Sequence, residues 1–387
     1  MQNLNVLQFI TPTGFYGAER WVLALANNME RHGITCDLAV TKEGDTQDLT
    51  VAKVYPRDAG QVHYLEMTGR FDLRAIKKLC RVIRERNIHV IHTHGYKSDI
   101  IGFLAAKRTG IACVSTPHGF PFKPGLKLAT FLRISSFTLR YFDAVVPLSE
   151  ELVLDIAALR IPDYKTRYIC NGVDLKEIDQ VLRELKVAPQ IRGQKATKAI
   201  GYIGRLIPLK GLGDLLSVFE GLYNKSPNLA LQMIGDGPQR AELEKQAAAQ
   251  KSHNAISFLG FRSDRLELLA NLDLFVMTSS SEGIPRCLME AMAVGVPVVA
   301  YDIPGVDQLV THGETGMLAP LGDKAALELC CLEVLENPEL ALKLVNNARR
   351  LIEERYSAAR MAKEYHSLFK ELVGDPKKST NHPDQVI

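Results

Sequence analysis

Asn5–His32, NVLQFITPTGFYGAERWVLALANNMERH, holds a short apolar run, a turn with Gly14 and Gly17, and an amphipathic stretch from about Ala18 to His32. It reads as strand, tight turn and helix. The run is apolar throughout rather than alternating, which suits a parallel strand covered on both faces. The same succession recurs, with strand candidates at Cys36–Thr41, His89–His94, Ile111–Thr116 and Asp143–Ser149 and helical patterns between most of them. Such alternation specifies a doubly wound α/β sheet.

The polar stretch Val187–Thr197, VAPQIRGQKAT, reads as a linker, and beyond it the pattern restarts. Ala199–Gly204, Ala230–Ile234, Ile256–Leu259, Leu274–Thr278 and Pro297–Tyr301 are strand candidates of a second domain. Helical periodicity marks Asp323–Glu336, Leu340–Arg355 and Ala358–Leu372. The expected organisation is a first Rossmann-like domain over 1–185, a second over 198–357, a last helix at about 358–373 crossing back to the first, and a polar tail over 374–387. Two such domains place a ligand cleft between them, at the carboxyl ends of their strands.

Composition narrows the function. Over 387 residues, 46% hydrophobic and 24% charged side chains mark a globular chain, and a net charge of +3 is too mild for a nucleic-acid binder. Seven scattered cysteines without a C-x-x-C pair argue against a disulfide framework and a clustered zinc site, and favour a reducing cytosol. The N-terminus lacks a basic, then apolar, leader, and no run approaches the ~18 apolar residues of a membrane span. A cytoplasmic enzyme is expected, with a peripheral role at the inner membrane face open to it.

Three loops carry candidate chemistry. Thr13–Glu19 follows the first strand, and its glycines allow an anion to approach a helix N-terminus; an ordinary tight turn would read the same. The spacing is not G-x-G-x-x-G, which disfavours a nicotinamide-dependent oxidoreductase. Gly204–Gly211, after the second domain's first strand, carries Arg205 and Lys210 where a diphosphate would sit, or two solvated cations. Ser279–Ala293, SSSEGIPRCLMEAMA, passes from strand to helix, and Pro285 suits the helix's first turn. The amides of Gly283, Ile284 and Arg286 would then face an anion.

Glu282 and Glu290 are eight residues apart. A wholly helical span would separate them by ~12 Å at ~1.5 Å per residue. Glycosidase carboxylates flank one bond at roughly 5–9.5 Å, so this pair suits two ends of an elongated ligand better than one scissile bond. A capping Glu282 and a surface Glu290 are the plain alternative. His92 and His94 point the same way on a strand, but no third metal ligand has fitting spacing, so no metal is expected. His118 follows a strand and precedes Gly119, at the cleft edge, where a structural and a functional histidine would read the same.

One stretch is electrostatically one-sided. From Ile100 to Phe142 there is no Asp or Glu, while Lys107, Arg108, Lys123, Lys127, Arg133 and Arg140 alternate with Phe120, Phe122, Phe131, Phe137, Tyr141 and Phe142. The preceding helix, Asp72–Arg86, is basic too. Such a surface suits anionic lipid headgroups or an anionic acceptor; core aromatics beneath a solvated basic face would give the same pattern.

With these segments in view, nearly the whole chain resembles the retaining glycosyltransferases of the GT-B fold, above all glycosyltransferase family 4. Ser279–Pro297 carries the family's glutamate–seven–glutamate motif, followed by Gly295-Val296-Pro297-Val298-Val299. The Gly204–Gly211 loop matches its diphosphate loop, and Asn171-Gly172-Val173-Asp174, Gly235-Asp236-Gly237-Pro238 and Phe258-Leu259-Gly260 are also typical. The resemblance implies that Arg205 and Lys210 neutralise the donor diphosphate, Glu282 holds donor-sugar hydroxyls and Glu290 the ribose. It implies too that Gly260, Phe261 and Arg262 face the nucleobase, Gly17 approaches from the first domain and His118 lies at the transferred sugar. The donor would be a UDP- or GDP-sugar and the acceptor a glycan or lipid-linked hydroxyl, in polysaccharide, lipopolysaccharide or cell-envelope glycan synthesis. Neither cofactor nor metal is implied. Gln308 stands where a glutamate is common, and Pro285 removes one amide from the phosphate loop. A nucleotide-sugar epimerase would need an acid/base pair that the chain does not offer. A non-catalytic nucleotide-sugar-binding protein could dispense with His118 and Glu282.

Overall fold

The computed structural model describes residues 4–69, 72–119, 126–186 and 197–374. The chain divides into two compact units at Gly172/Val173 and Ser357/Ala358, and the segment from Ala358 belongs with the first.

The first unit runs β1 (Leu4–Ile10), α1 (Gly17–Met29), β2 (Ile34–Lys42), α2 (Thr50–Lys53), β3 (Val62–Glu66), α3 (Leu73–Glu85), β4 (Val90–His94), α4 (Tyr96–Thr109), β5 (Ala112–Ser115), α5 (Leu126–Leu139), β6 (Ala144–Val145) and α6 (Glu150–Ala158). Its strands are parallel in the order β3-β2-β1-β4-β5-β6. β1 feeds both apolar layers: Val6 and Ile10 enter one core, Leu7 and Phe9 the other. This is why its sequence does not alternate.

The second unit runs α7 (Leu175–Glu184), β7 (Lys198–Ile203), α8 (Leu212–Lys225), β8 (Leu229–Ile234), α9 (Arg240–Ala248), β9 (Ile256–Gly260), α10 (Arg265–Ala270), β10 (Leu274–Met277), α11 (Arg286–Ala293), β11 (Val298–Asp302), β12 (Met317–Pro320), α12 (Lys324–Glu336) and α13 (Pro338–Arg355). Its order, β12-β11-β10-β7-β8-β9, repeats that of the first unit strand for strand. Both are Rossmann-like sheets whose order reverses beside the first strand, between β1 and β4 and between β7 and β10. Ligands of such sheets bind at that reversal.

The structure departs from the sequence reading in several places. β3 and β12 are absent from it: in β3 only Leu65 is buried, and β12 is four residues ending in Pro320. β6 is only two residues long, since Pro147 brings no amide to the sheet and the chain turns into α6 at the Ser149 cap. The boundary falls at 172/173, ahead of the expected 185, because α7 packs on α10 and α11 of the second unit. α14 (Ala358–Gly374) lays Met361, Ala362, Tyr365, Leu368 and Phe369 in one helical stripe into the core beneath α1. The linker over 187–196 and the tail over 375–387 lie outside the described residues.

Asp99 on α4 is buried and accepts from Thr93 Oγ1 (2.6 Å), Ser115 Oγ (2.8 Å) and Ser135 Oγ (3.2 Å), tying together β4, β5 and α5. Burial raises its carboxyl to about 6 against the opposing hydroxyl hydrogen bonds. A folded-state value above the unfolded one means that Asp99's contribution is full below the unfolded value near 4 and lost as pH rises through about 6. Asp99→Asn is expected to flatten this part of the pH–stability curve, read as the wild-type minus variant difference in urea unfolding across pH 4–7. Parallel curves would contradict it.

Candidate active site

In the second unit the loops after β7 and β10 are joined. Ser280 N donates to Leu209 O (2.9 Å), and Thr278 Oγ1 donates to Lys210 O (3.0 Å). Gly211 sits at φ +60°, and a Cβ there would lie 2.2 Å from Thr278 O, so only glycine lets the turn close on β10. The outcome is an ion pair between Lys210 Nζ and Glu282 Oε1 at 2.5 Å. Arg205, in the same loop, is exposed, and its guanidinium has no protein partner among the described residues.

Glu282 and Glu290 do not share a helix. Pro285 is the residue before α11, which starts at Arg286, so Glu282 stays on the loop and the helical spacing does not apply. Nor is Glu290 on the surface. It is buried in α11, where Arg265 grips it through Nη2–Oε1 (2.9 Å) and Nε–Oε2 (3.1 Å) and Arg286 Nε adds a contact at 2.9 Å. Arg265 also reaches Glu177 Oε1 at 3.4 Å. A buried carboxylate needs such partners. Arg286 therefore has a side-chain task besides its backbone amide. Arg265 was not among the sequence candidates; the one available signal was a glutamate inside the apolar run LMEAMA, which calls for a cation from elsewhere in the chain.

Gly283 is exposed and Ile284 buried. Gly305, at φ +85°, packs against the loop so closely that a Cβ would lie 1.8 Å from Gly283 O. Gly305→Ala is expected to displace Glu282–Gly283 and to cost about 1–3 kcal/mol from the backbone conformation alone. Thermal unfolding would register it; a wild-type midpoint would contradict it. Gly260 ends β9, Phe261 is exposed, and Arg262 Nε pairs with Asp264 Oδ1 at 2.7 Å.

In the first unit Gly17 opens α1, and a Cβ there would meet nothing within 4 Å, so packing does not demand glycine. Glu19 Oε2 accepts from Tyr16 N at 3.0 Å, capping the helix from within. The structure gathers His118 to the pair His92 and His94 that strand alternation had already placed on one side. His94 Nδ1 lies 3.1 Å from His118 Nε2, and the His92 and His94 rings are 4.4 Å apart. Trp21 lies 5.7, 5.2 and 5.4 Å from His92, His94 and His118. Burial pushes the His118 imidazole down to about 3 and holds His92 and His94 well below the usual range, so all three are neutral at neutral pH. No group of three or more metal-ligating side chains among the described residues could hold a metal ion.

The adjoining helices α3, α4 and α5 expose Lys77, Lys78, Arg81, Arg84, Lys107, Arg108 and Arg133. The aromatics divide: Phe142 is core, whereas Phe137 and Tyr141 are 55% and 51% exposed beside Ile134 at 44%. Phe120, Phe122, Lys123 and the side chain of Lys127 lie outside the described residues. No helix among the described residues is long and apolar enough to cross a membrane.

Comparison with known proteins matches each half of the chain to a family model. Residues 15–177 match the model "Glycosyltransferase Family 4" and residues 186–351 match "Glycosyl transferases group 1". The chain is 23% identical over 342 residues to N-acetyl-alpha-D-glucosaminyl L-malate synthase of Bacillus anthracis, covering 84% of this chain and 87% of the relative. It is 25% identical over 312 residues to UDP-Gal:alpha-D-GlcNAc-diphosphoundecaprenol alpha-1,3-galactosyltransferase of Escherichia coli, covering 78% and 80%. The crystal structure of Anabaena HepE in complex with UDP and glucose superposes with a TM-score of 0.77 at 21% identity, over 95% of this chain and all of that one (100%). With both halves matched and two Rossmann-like sheets in place, the chain is a GT-B glycosyltransferase of the family 4, group 1 kind.

Proposed function

We propose that the protein is a retaining transferase that moves a sugar from a UDP- or GDP-sugar to a hydroxyl of a glycan or lipid-linked acceptor in cell-envelope polysaccharide synthesis. The Lys210–Glu282 pair beside the open Arg205, at the strand-order reversal of the second sheet, carries this reading. A diphosphate there draws Lys210 away from Glu282. The freed carboxylate then accepts hydrogen bonds from the donor sugar, while Glu290, held rigid by Arg265, meets the ribose. The acceptor oxygen attacks the anomeric carbon on the face from which the diphosphate leaves. One C–O bond forms as the other breaks, and the hydroxyl proton passes to the departing phosphate oxygen, so configuration is retained. Positioned cations and amides stabilise the leaving group, which is the larger part of the catalysis. Arg205 and Lys210 supply the charge a divalent ion would bring, so turnover is expected to survive chelation.

Titration with UDP and GDP tests the site. Arg205→Ala and Lys210→Ala are expected to weaken nucleoside diphosphate binding at least about tenfold, the loss of one charge-assisted contact. The bare nucleoside should bind as before. Unchanged diphosphate affinity in both variants would overturn the assignment.

The acceptor side of the proposal rests on the first unit's basic, aromatic surface. Its cations and the exposed Phe137, Tyr141 and Ile134 suit an anionic membrane face. The E. coli relative's name also describes a diphospholipid-linked substrate. The protein is expected to bind phosphatidylglycerol vesicles at about 50 mM salt and to release them at about 500 mM, because the attraction decays within a Debye length. Lys77→Glu with Arg81→Glu should weaken it strongly. No binding at low salt would remove the membrane role.

A further inference from the structure

Gln8, His94 and His118 form one hydrogen-bonded file across β1, β4 and the segment after β5. Gln8 is wholly buried, and its Nε2 donates to Cys36 Sγ on β2 at 3.5 Å. Its Oε1 then faces β4, where His94 Nε2 lies 2.7 Å away. An oxygen can only accept, so His94 Nε2 carries the proton. A neutral imidazole protonated there offers a lone pair at Nδ1. His118 Nε2, 3.1 Å from that lone pair, is therefore the donor. This leaves a lone pair on His118 Nδ1, which has no protein partner among the described residues.

The neighbouring groups do not interrupt the file. His92 Nε2 pairs with Thr116 Oγ1, which pairs in turn with Tyr365 OH, each at 2.7 Å, away from His118. Trp21 packs against all three imidazoles, and its ring restricts their rotation. Each link sets the polarity of the next, so one buried amide decides which face a half-buried imidazole presents.

We propose that His94, aligned by Gln8, is a positioning residue that fixes His118 as its Nε2–H tautomer and presents His118 Nδ1 as a hydrogen-bond acceptor for a hydroxyl of the transferred sugar. The last clause rests on the proposed placement of His118 at that sugar. The tautomer does not.

The test is two-bond 1H–15N correlation of the full chain labelled with 15N-histidine, at neutral pH, with no substrate. His118 and His94 are expected to show a protonated Nε2 and a bare Nδ1. In Gln8→Leu, which keeps the site buried but removes the acceptor, both rings are expected to become mixtures of tautomers. A wild-type His118 protonated on Nδ1, or a pattern unchanged in Gln8→Leu, would overturn the proposal. Turnover supplies the second arm. His94→Asn places an oxygen where Nδ1 was and should retain kcat within about threefold. His94→Leu removes the acceptor and should lower kcat by about tenfold with little change in donor KM, as for one orienting hydrogen bond. Full turnover in His94→Leu, with the tautomer demonstrably lost, would instead overturn the placement of His118 at the sugar.

Discussion

Glu282→Ala and Lys210→Ala are each expected to lower transfer by about 100- to 1,000-fold, the usual effect of removing one preorganised electrostatic group. The fold should persist with some loss of stability, because the two side chains sit on loops and keep 19% and 11% of their surface exposed, so neither is left as a fully buried lone charge. The two variants should part company in binding. Lys210→Ala removes the proposed phosphate ligand and should weaken nucleoside diphosphate binding. Glu282→Ala frees Lys210 from its internal partner, so nucleoside diphosphate should bind more tightly even as transfer falls. Steady-state rates and titration calorimetry read both effects. Wild-type-like rates in both variants would sink the assignment, and weaker diphosphate binding in Glu282→Ala would show that the pair does not compete with the ligand.

Arg265→Met is expected to destabilise the protein by about 3 kcal/mol, the lower end for stranding a buried charge, because Arg286 remains beside Glu290. Replacing both partners, Arg265→Met with Glu290→Gln, should restore part of the loss, since no carboxylate is then stranded, while Arg286 exchanges its charged partner for an amide oxygen. Urea unfolding measures it; a loss below about 1 kcal/mol in the single variant would contradict the reading of Glu290 as a buried, guanidinium-held carboxylate. Donor KM should rise in the single variant, because Glu290, the proposed ribose ligand, loses its brace.

These residues mark where the sequence stops being readable. Central strands such as β1 were legible because both faces are buried, leaving an uninterrupted apolar run. Edge strands β3 and β12 were not: β3 buries one residue of five and β12 is four residues ending in Pro320, whereas the edge strand β9 was readable from Ile256–Leu259. The loops after β7 and β10 were legible through their glycines and charges, local features forced by tight turns at strand ends. Their pairing was not: nothing in the spacing joins Lys210 to Glu282, or Arg265 to Glu290. Those contacts follow from β7 lying beside β10 and from α10 packing on α11. The histidines divide in the same way. Strand alternation put His92 and His94 on one side, but only the pairing of β4 with β5 brings His118 to His94. α7 was assigned to the wrong half because its amphipathic pattern shows that it packs, and not against what.

The second unit is proposed to bind and cleave a nucleotide-sugar. The most direct test of this claim is release of nucleoside diphosphate by the purified protein from a panel of UDP-, GDP- and ADP-sugars, without acceptor and without metal. The expected result is slow release from one UDP- or GDP-sugar, abolished in Lys210→Ala. Interconversion of the sugar with no release from any donor would contradict the claim and point to an epimerase on the same scaffold.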